Sequence, residues 1–118
     1  MYISGAVIPV PEGNKDRYGK LAEKFWAILS DYGALEQTEG WEADVPDGKQ
    51  TDFRRAVAAE PGEKIVLSCI IWPDRETCES AHAKMADDPR MHEIHEDMPF
   101  EGKRMILGNF SPLFVGGR

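Results

Sequence analysis

Residues 64 to 72, Lys-Ile-Val-Leu-Ser-Cys-Ile-Ile-Trp, restrict the fold more than any other stretch of the chain. Side chains of a strand alternate between two faces, so Ile65, Leu67, Cys69 and Ile71 share one side while Val66, Ser68, Ile70 and Trp72 share the other. Both sides are apolar, and both need a cover. Such a strand belongs in the middle of a sheet, with helices against one face and a second layer against the other. The 118 residues have room for one domain, residues 1–118, and for no separate cofactor domain.

The other segments supply the sheet's neighbours. Residues 2 to 10 (YISGAVIPV) are short, apolar and without helical spacing, which predicts a second buried strand that ends at Pro9 or Pro11. Asn14 is placed to cap a helix. Behind it Tyr18, Leu21, Ala22, Phe25, Ile28, Leu29 and Tyr32 recur at helical spacing as one stripe, and Gly33 supplies the stop. Residues 34 to 42 (ALEQTEGWE), with three glutamates, suit an exposed edge strand. A connector from Val45 to Gly62 follows, with a Pro-Asp-Gly turn, a stretch without clear periodicity and a Pro-Gly turn. Beyond the strand at 64 to 72, Asp74 caps a second helix striped by Cys78, Ala81, His82 and Met85. Asp88-Pro89 opens a further helical turn or two, residues 103 to 110 form a last strand, and the tail from Val115 to Arg118 is expected to fray.

Strand, helix, strand, strand, helix, strand is the order of the ferredoxin-like unit, an α+β fold with an antiparallel sheet. Its first and third strands are central, and here these are the two most apolar. Helices can cover only one face of that sheet. An identical chain is the economical cover for the other, which predicts a homodimer whose two sheets meet face to face.

Charge removes some function classes. With 14 Lys plus Arg against 21 Asp plus Glu, the net charge is -7, which opposes binding to nucleic acid through its phosphates. RNA binding is disfavoured too, since no aromatic platform sits in a basic groove. No apolar run approaches the roughly 18 residues of a membrane span. Met1-Tyr2-Ile3-Ser4-Gly5 shows no cationic segment, so a cytoplasmic location is expected. Cys69 and Cys78 make neither a C-x-x-C pair nor a disulfide framework.

Several stretches resemble a known family. They are Gly5 to Pro11, Gly33-Ala34-Leu35-Glu36, Asp44-Val45-Pro46-Asp47-Gly48-Lys49, Phe53 with Arg55-Ala56-Val57, Ala83-Lys84 with Asp87 to Arg90, and Met98-Pro99-Phe100-Glu101-Gly102-Lys103-Arg104-Met105-Ile106. Together they are similar to the YbaA-like family of small bacterial proteins of unknown function, and the M-P-F-x-G-K-R-M segment is the most specific. The resemblance implies the dimeric α/β-barrel form of the ferredoxin-like fold and no established reaction. The chain departs from the family pattern at Tyr32, Arg54 and His82.

Candidate chemistry is sparse. His82, on the apolar stripe of its helix, is expected to point inward, either as a core histidine or as an acid or base in a pocket. Arg55 and Arg104 are the cations best placed for a pocket mouth, where a guanidinium fork suits a carboxylate or phosphate; the plain alternative is a salt bridge. Ser68 is expected on the face turned away from the helices, as a small residue that lets two sheets approach; no G-x-S-x-G elbow makes it a nucleophile. Trp26, Trp41 and Trp72 serve an apolar cavity or the core. His92 and His95 lie at a spacing that can hold a metal but lack a third ligand, so no metal is expected, and no phosphate-loop pattern surrounds Gly48 or Gly102, so no cofactor is expected. The leading expectation is a small dimeric protein with a small-molecule cleft. Its rival, by fold analogy, is a cofactor-independent monooxygenase-like or isomerase-like enzyme using His82, Arg55 and Arg104.

Overall fold

The computed structural model describes residues 1–117; Arg118, the end of the tail expected to fray, lies outside the described residues. Two long strands, β1 (Tyr2–Pro11) and β3 (Glu63–Trp72), pair antiparallel along their whole length, from Tyr2 opposite Trp72 to Pro11 opposite Glu63. β2 (Glu36–Trp41) flanks β3 and β4 (Ile106–Phe110) flanks β1, giving the order β2-β3-β1-β4. The two most apolar strands are therefore the central ones, in the antiparallel ferredoxin-like arrangement.

One face of this sheet is covered by α1 (Lys15–Asp31), α3 (Arg75–Met85) and α4 (Pro89–Glu96). Their buried residues Ile28, Leu29, Cys78, Ala81, Met85 and Ile94 meet Tyr2, Ile70 and Trp72 from the sheet. Gly33 ends α1 with φ at +101°, and a Cβ there would stand 2.7 Å from the Thr77 methyl. Only glycine meets both demands. Asp74 and Asp88 cap α3 and α4, accepting from the backbone N–H of Thr77 and Arg90 at 2.7 and 2.9 Å. Asp88 also accepts from the Tyr32 hydroxyl at 2.8 Å, which ties the end of α1 to the start of α4. Asn14 stands at the N-cap position of α1 without the expected cap bond. Its side-chain amide instead donates to the Pro99 carbonyl at 2.8 Å, a tertiary partner no local pattern reveals.

The connector contains α2 (Phe53–Ala56), a single turn capped by Asp52, which accepts from the Arg55 and Gly48 N–H groups at 2.8 and 3.1 Å. Arg54 pairs with Glu42 and donates to the Glu63 carbonyl, while Arg104 donates to the Ala58 carbonyl at 3.1 Å. These bonds tie the connector, with its buried Val57, to the Glu63 end of β3, the end of the outer face where Pro9 and Ile65 are also buried. The rest of that face stays bare, with Leu67, Ile106 and Phe110 exposed. So the chain covers one end of its own outer face.

The last strand begins later than expected. Gly102–Arg104 form a tight turn, with the Met105 N–H donating back to the Gly102 carbonyl at 3.3 Å, and β4 starts only at Ile106. Arg104 is diverted there by a two-pronged pair with Glu63, at 2.6 and 2.7 Å. The Arg104 bonds hold the Glu63 carboxyl below its ordinary value of 4.5. A depressed carboxyl stabilises the fold above the unfolded value and loses that contribution as pH falls through the folded one. Tm measured against pH should therefore fall on the acid side of about 4.5, and Glu63→Gln should flatten that limb while lowering Tm at neutral pH. An unaltered acid limb in the variant would remove Glu63 from this role.

Candidate functional site

On the inner face of the sheet the middle of the two central strands carries small side chains, Ala6 directly opposite Ser68. Large residues fill both ends instead. One cluster gathers Tyr2, Ile70 and Trp72 under α1, α3 and α4, and a second gathers Ile8, Val10, Val66 and Tyr18. Small residues between two packed clusters leave volume that nearby side chains cannot fill. A cavity of about 310 Å³ lies there, open on one side and walled mainly by apolar side chains, among them Phe25, Met91, Ile94, Met98, Phe100 and Met105. That volume is at the low end of the roughly 300–1,000 Å³ of ligand pockets.

The polar groups gather at the β2 end. Gln37 and Glu39 alternate with Thr38 on the edge strand, and both turn inward against Ile70 and Ser68. The Tyr18 hydroxyl donates to Glu39 Oε1 at 2.6 Å, while Ser68 Oγ and Gln37 Nε2 donate to Oε2 at 2.8 and 2.9 Å. Burial, then the charge of Glu39 and its hydrogen bond, push the Tyr18 hydroxyl well above its ordinary 10, so it stays a donor. Gln37 Oε1 is buried and has no hydrogen-bond partner among the described residues.

A second group lies toward the Trp72 end of the cavity. Ser4 Oγ accepts from Trp72 Nε1 at 3.0 Å and donates to Asn109 Oδ1 at 2.7 Å. Cys78 Sγ is 3.7 Å from Ser4 Oγ and 3.8 Å from His82 Nδ1. Those residue types can form a nucleophile and base, but burial pushes the Cys78 thiol above its ordinary 9 and keeps it protonated. A buried thiol of this kind is inert.

The expected site residues separate in space. His82 and Ser68 line the cavity, but Ser68 does so from the helix side of the sheet, where it had been expected on the opposite side. β3 is apolar on both faces, so alternation groups Ser68 with Val66 and Trp72 without saying which group meets the helices. His82 stands exposed at the rim, its ring edge-on to Trp72 at 5.8 Å, and so points less deeply inward than its stripe suggests. Trp72 is fully buried in the core and Trp26 is on the exposed side of α1, and neither lines this cavity. Arg104 is engaged by Glu63, and Arg55 by Asp52 and the carbonyls of Gly48 and Lys49, so neither of these two arginines pairs with His82. His95 reaches the cavity wall, whereas the His92 ring lies 3.4 Å from the Ala86 carbonyl. Among the described residues no group of three or more His, Cys, Asp or Glu side chains is arranged to hold a metal ion. Sequence reading passed over Tyr18, Gln37 and Glu39. Trp41, two residues beyond Glu39 and packed against the second cluster, was the signal that this face of β2 turns inward.

Fold and cavity together define a ferredoxin-like α+β protein with a pocket between its sheet and its helices. The chain belongs to the family described as "Protein of unknown function (DUF1428)", whose model matches residues 1–102. It is 48% identical over 112 residues to "Uncharacterized protein YbaA" of Escherichia coli strain K12, covering 95% of this chain and 96% of that one, and equally similar to the Shigella flexneri protein of that name. Among solved structures, a dimeric ferredoxin-like protein from an uncultured marine organism superposes with a TM-score of 0.64 at 8% identity over the full length of both chains. An uncharacterized NIPSNAP domain protein from Burkholderia xenovorans gives 0.59 at 12% identity, over 99% of this chain and 100% of that chain. At such identities the likeness concerns the fold alone. Among the described residues no helix is long and apolar enough to cross a membrane.

Proposed function

We propose that residues 1–118 act as one cytoplasmic domain that pairs into a homodimer through the outer faces of its sheets and holds a small molecule in the cavity of each protomer. The observation that carries the binding half is the 310 Å³ cavity, apolar along most of its wall with hydrogen-bonding groups concentrated at its ends. An apolar body with few oriented polar contacts is the usual pattern of a ligand site.

The pairing half rests on the bare outer face. Leu67 is 53% exposed and Phe110 is 60% exposed, on a surface where the Phe110 ring sits 3.2 Å from where a Cβ on Gly108 would stand. Leu113 and Phe114, just beyond β4, add further apolar area. A patch of this composition is costly to leave in water, and the same face on a second copy matches it under two-fold symmetry. The dimeric ferredoxin-like neighbour gives the same direction of inference.

Native mass spectrometry of the purified protein tests both halves. The expected spectrum is a two-chain species, with added mass from a retained small molecule in wild type and none in Ala6→Leu, a substitution that fills the cavity. A one-chain species at micromolar concentration would refute the pairing. Identical added mass in Ala6→Leu would move any ligand away from the cavity.

A further inference from the structure

At the β2 end of the cavity every donor group already serves the same carboxylate. Tyr18, Ser68 and Gln37 each direct a hydrogen to the Glu39 carboxylate. A carboxylate offers about four acceptor positions, of which these bonds occupy three. Gln37 Oε1 is a second acceptor, buried and without a partner among the described residues. Its orientation is settled by the bond its own Nε2 makes to Glu39, because the flipped amide would set oxygen against carboxylate. Among the described residues no Lys or Arg lines the cavity. What this end chiefly offers a ligand is acceptors and one negative charge.

We propose that the cavity takes an apolar amine, its ammonium group against Glu39 and Gln37 Oε1 and its hydrocarbon or aromatic body among the Phe and Met side chains. This assignment rests on the ligand-binding reading above and names the class of ligand. An ammonium group brings up to three donors and the charge opposite to that of Glu39, whereas a hydroxyl brings one donor and no charge. A carboxylic acid meets repulsion from Glu39 and finds no lysine or arginine among the described lining residues. The rest of the wall suits the same choice. The Tyr18 and Phe100 rings stand 5.8 Å apart beside this end, aromatic faces attract ammonium, and the thioethers of Met91, Met98 and Met105 adapt to an irregular apolar body.

Three probes of similar shape test it: phenethylamine, phenethyl alcohol and hydrocinnamate. Binding is measured by calorimetry at neutral pH and near-physiological salt, where the Debye length is about 8 Å and the acidic surface is screened. Methionine methyl NMR reports whether each probe enters the cavity. Wild type is expected to bind the amine roughly tenfold tighter than the alcohol, as a charge-assisted bond of about 1.4 kcal/mol more would give, and to bind the acid undetectably. In Glu39→Gln the amine should fall to about the level of the alcohol, with the alcohol's methyl shifts retained as proof of an intact cavity. Gln37→Leu, which leaves the carboxylate in place, should weaken the amine more than the alcohol and keeps the test open if Glu39→Gln misfolds. Equal amine and alcohol affinities in wild type overturn the ligand class and leave the cavity reading standing. So does an amine preference that survives in Glu39→Gln, because the overall charge then produces it. If none of the three probes moves the cavity methyls in wild type, the ligand-binding reading falls and the amine assignment with it.

Discussion

Trp72→Ala is expected to cost about 3–5 kcal/mol of folding stability, the range for truncating a fully buried large aromatic residue. Trp72 has no exposed surface, packs in the cluster with Tyr2, Ile28, Leu29 and Cys78, and donates its indole N–H to Ser4 Oγ at 3.0 Å. The substitution removes dispersion contacts, opens a void beside the existing cavity and leaves Ser4 without its donor. Against a total stability of roughly 5–15 kcal/mol for a domain, such a loss lowers Tm by roughly 10–20 °C. Trp72→Phe keeps most of the ring and should cost closer to the value of one hydrogen bond, about 1 kcal/mol. Trp26→Ala, on the exposed side of α1, should cost about 1 kcal/mol or less. Thermal melts of the three variants check the ordering, and a Trp72→Ala protein that melts within a few degrees of wild type would contradict the packing described for this core.

The second large effect concerns the outer face. Leu67→Glu is expected to raise the dissociation constant of the proposed dimer by roughly 100- to 10,000-fold. Burying the half of the Leu67 side chain still exposed contributes about 0.8–1.5 kcal/mol, setting a carboxylate in its place costs about as much again, two-fold symmetry doubles the sum to about 3–6 kcal/mol, and each 1.4 kcal/mol is a factor of ten. In an isolated protomer Leu67 already faces solvent, so the same substitution should change protomer stability by only about 0.5 kcal/mol. Sedimentation velocity across a dilution series reads the first quantity and a melt of the dissociated protein reads the second. Cys69, two residues along on the same face and only partly exposed, gives a chemical readout. Its thiol should react faster with an aromatic disulfide in Leu67→Glu than in wild type, because the partner sheet no longer shields it. A wild-type protein that sediments as one chain, or a variant that sediments as two, would remove this face from the assembly.

These two residues also mark where sequence reading stops. Both lie on β3, and their alternation assigns Leu67 and Trp72 to opposite faces without any structure. Which face meets the helices is a separate matter. It was expected that Ser68 would look away from them, and it looks toward them, because the inner face is selected by where α1, α3 and α4 dock rather than by any difference in apolar content between the two sets. The same limit applies to Arg104. Its charge and fork predict a carboxylate partner, but Glu63 lies 41 residues away along the chain.

What the sequence determines here is periodic and local. The two-residue repeat of β1 and β3, the helical stripe of α1, the stop at Gly33 and the caps at Asp74 and Asp88 follow from the geometry of each segment alone. From their order comes the antiparallel ferredoxin-like topology. The cavity and its chemistry belong to the tertiary structure. Ala6, Ser68, Tyr18 and Glu39 are scattered over three strands and a helix, each unremarkable in its own segment. Only the register of the sheet and the docking of α1 bring their side chains together, because a void and the polar groups facing it are set by which distant atoms become neighbours.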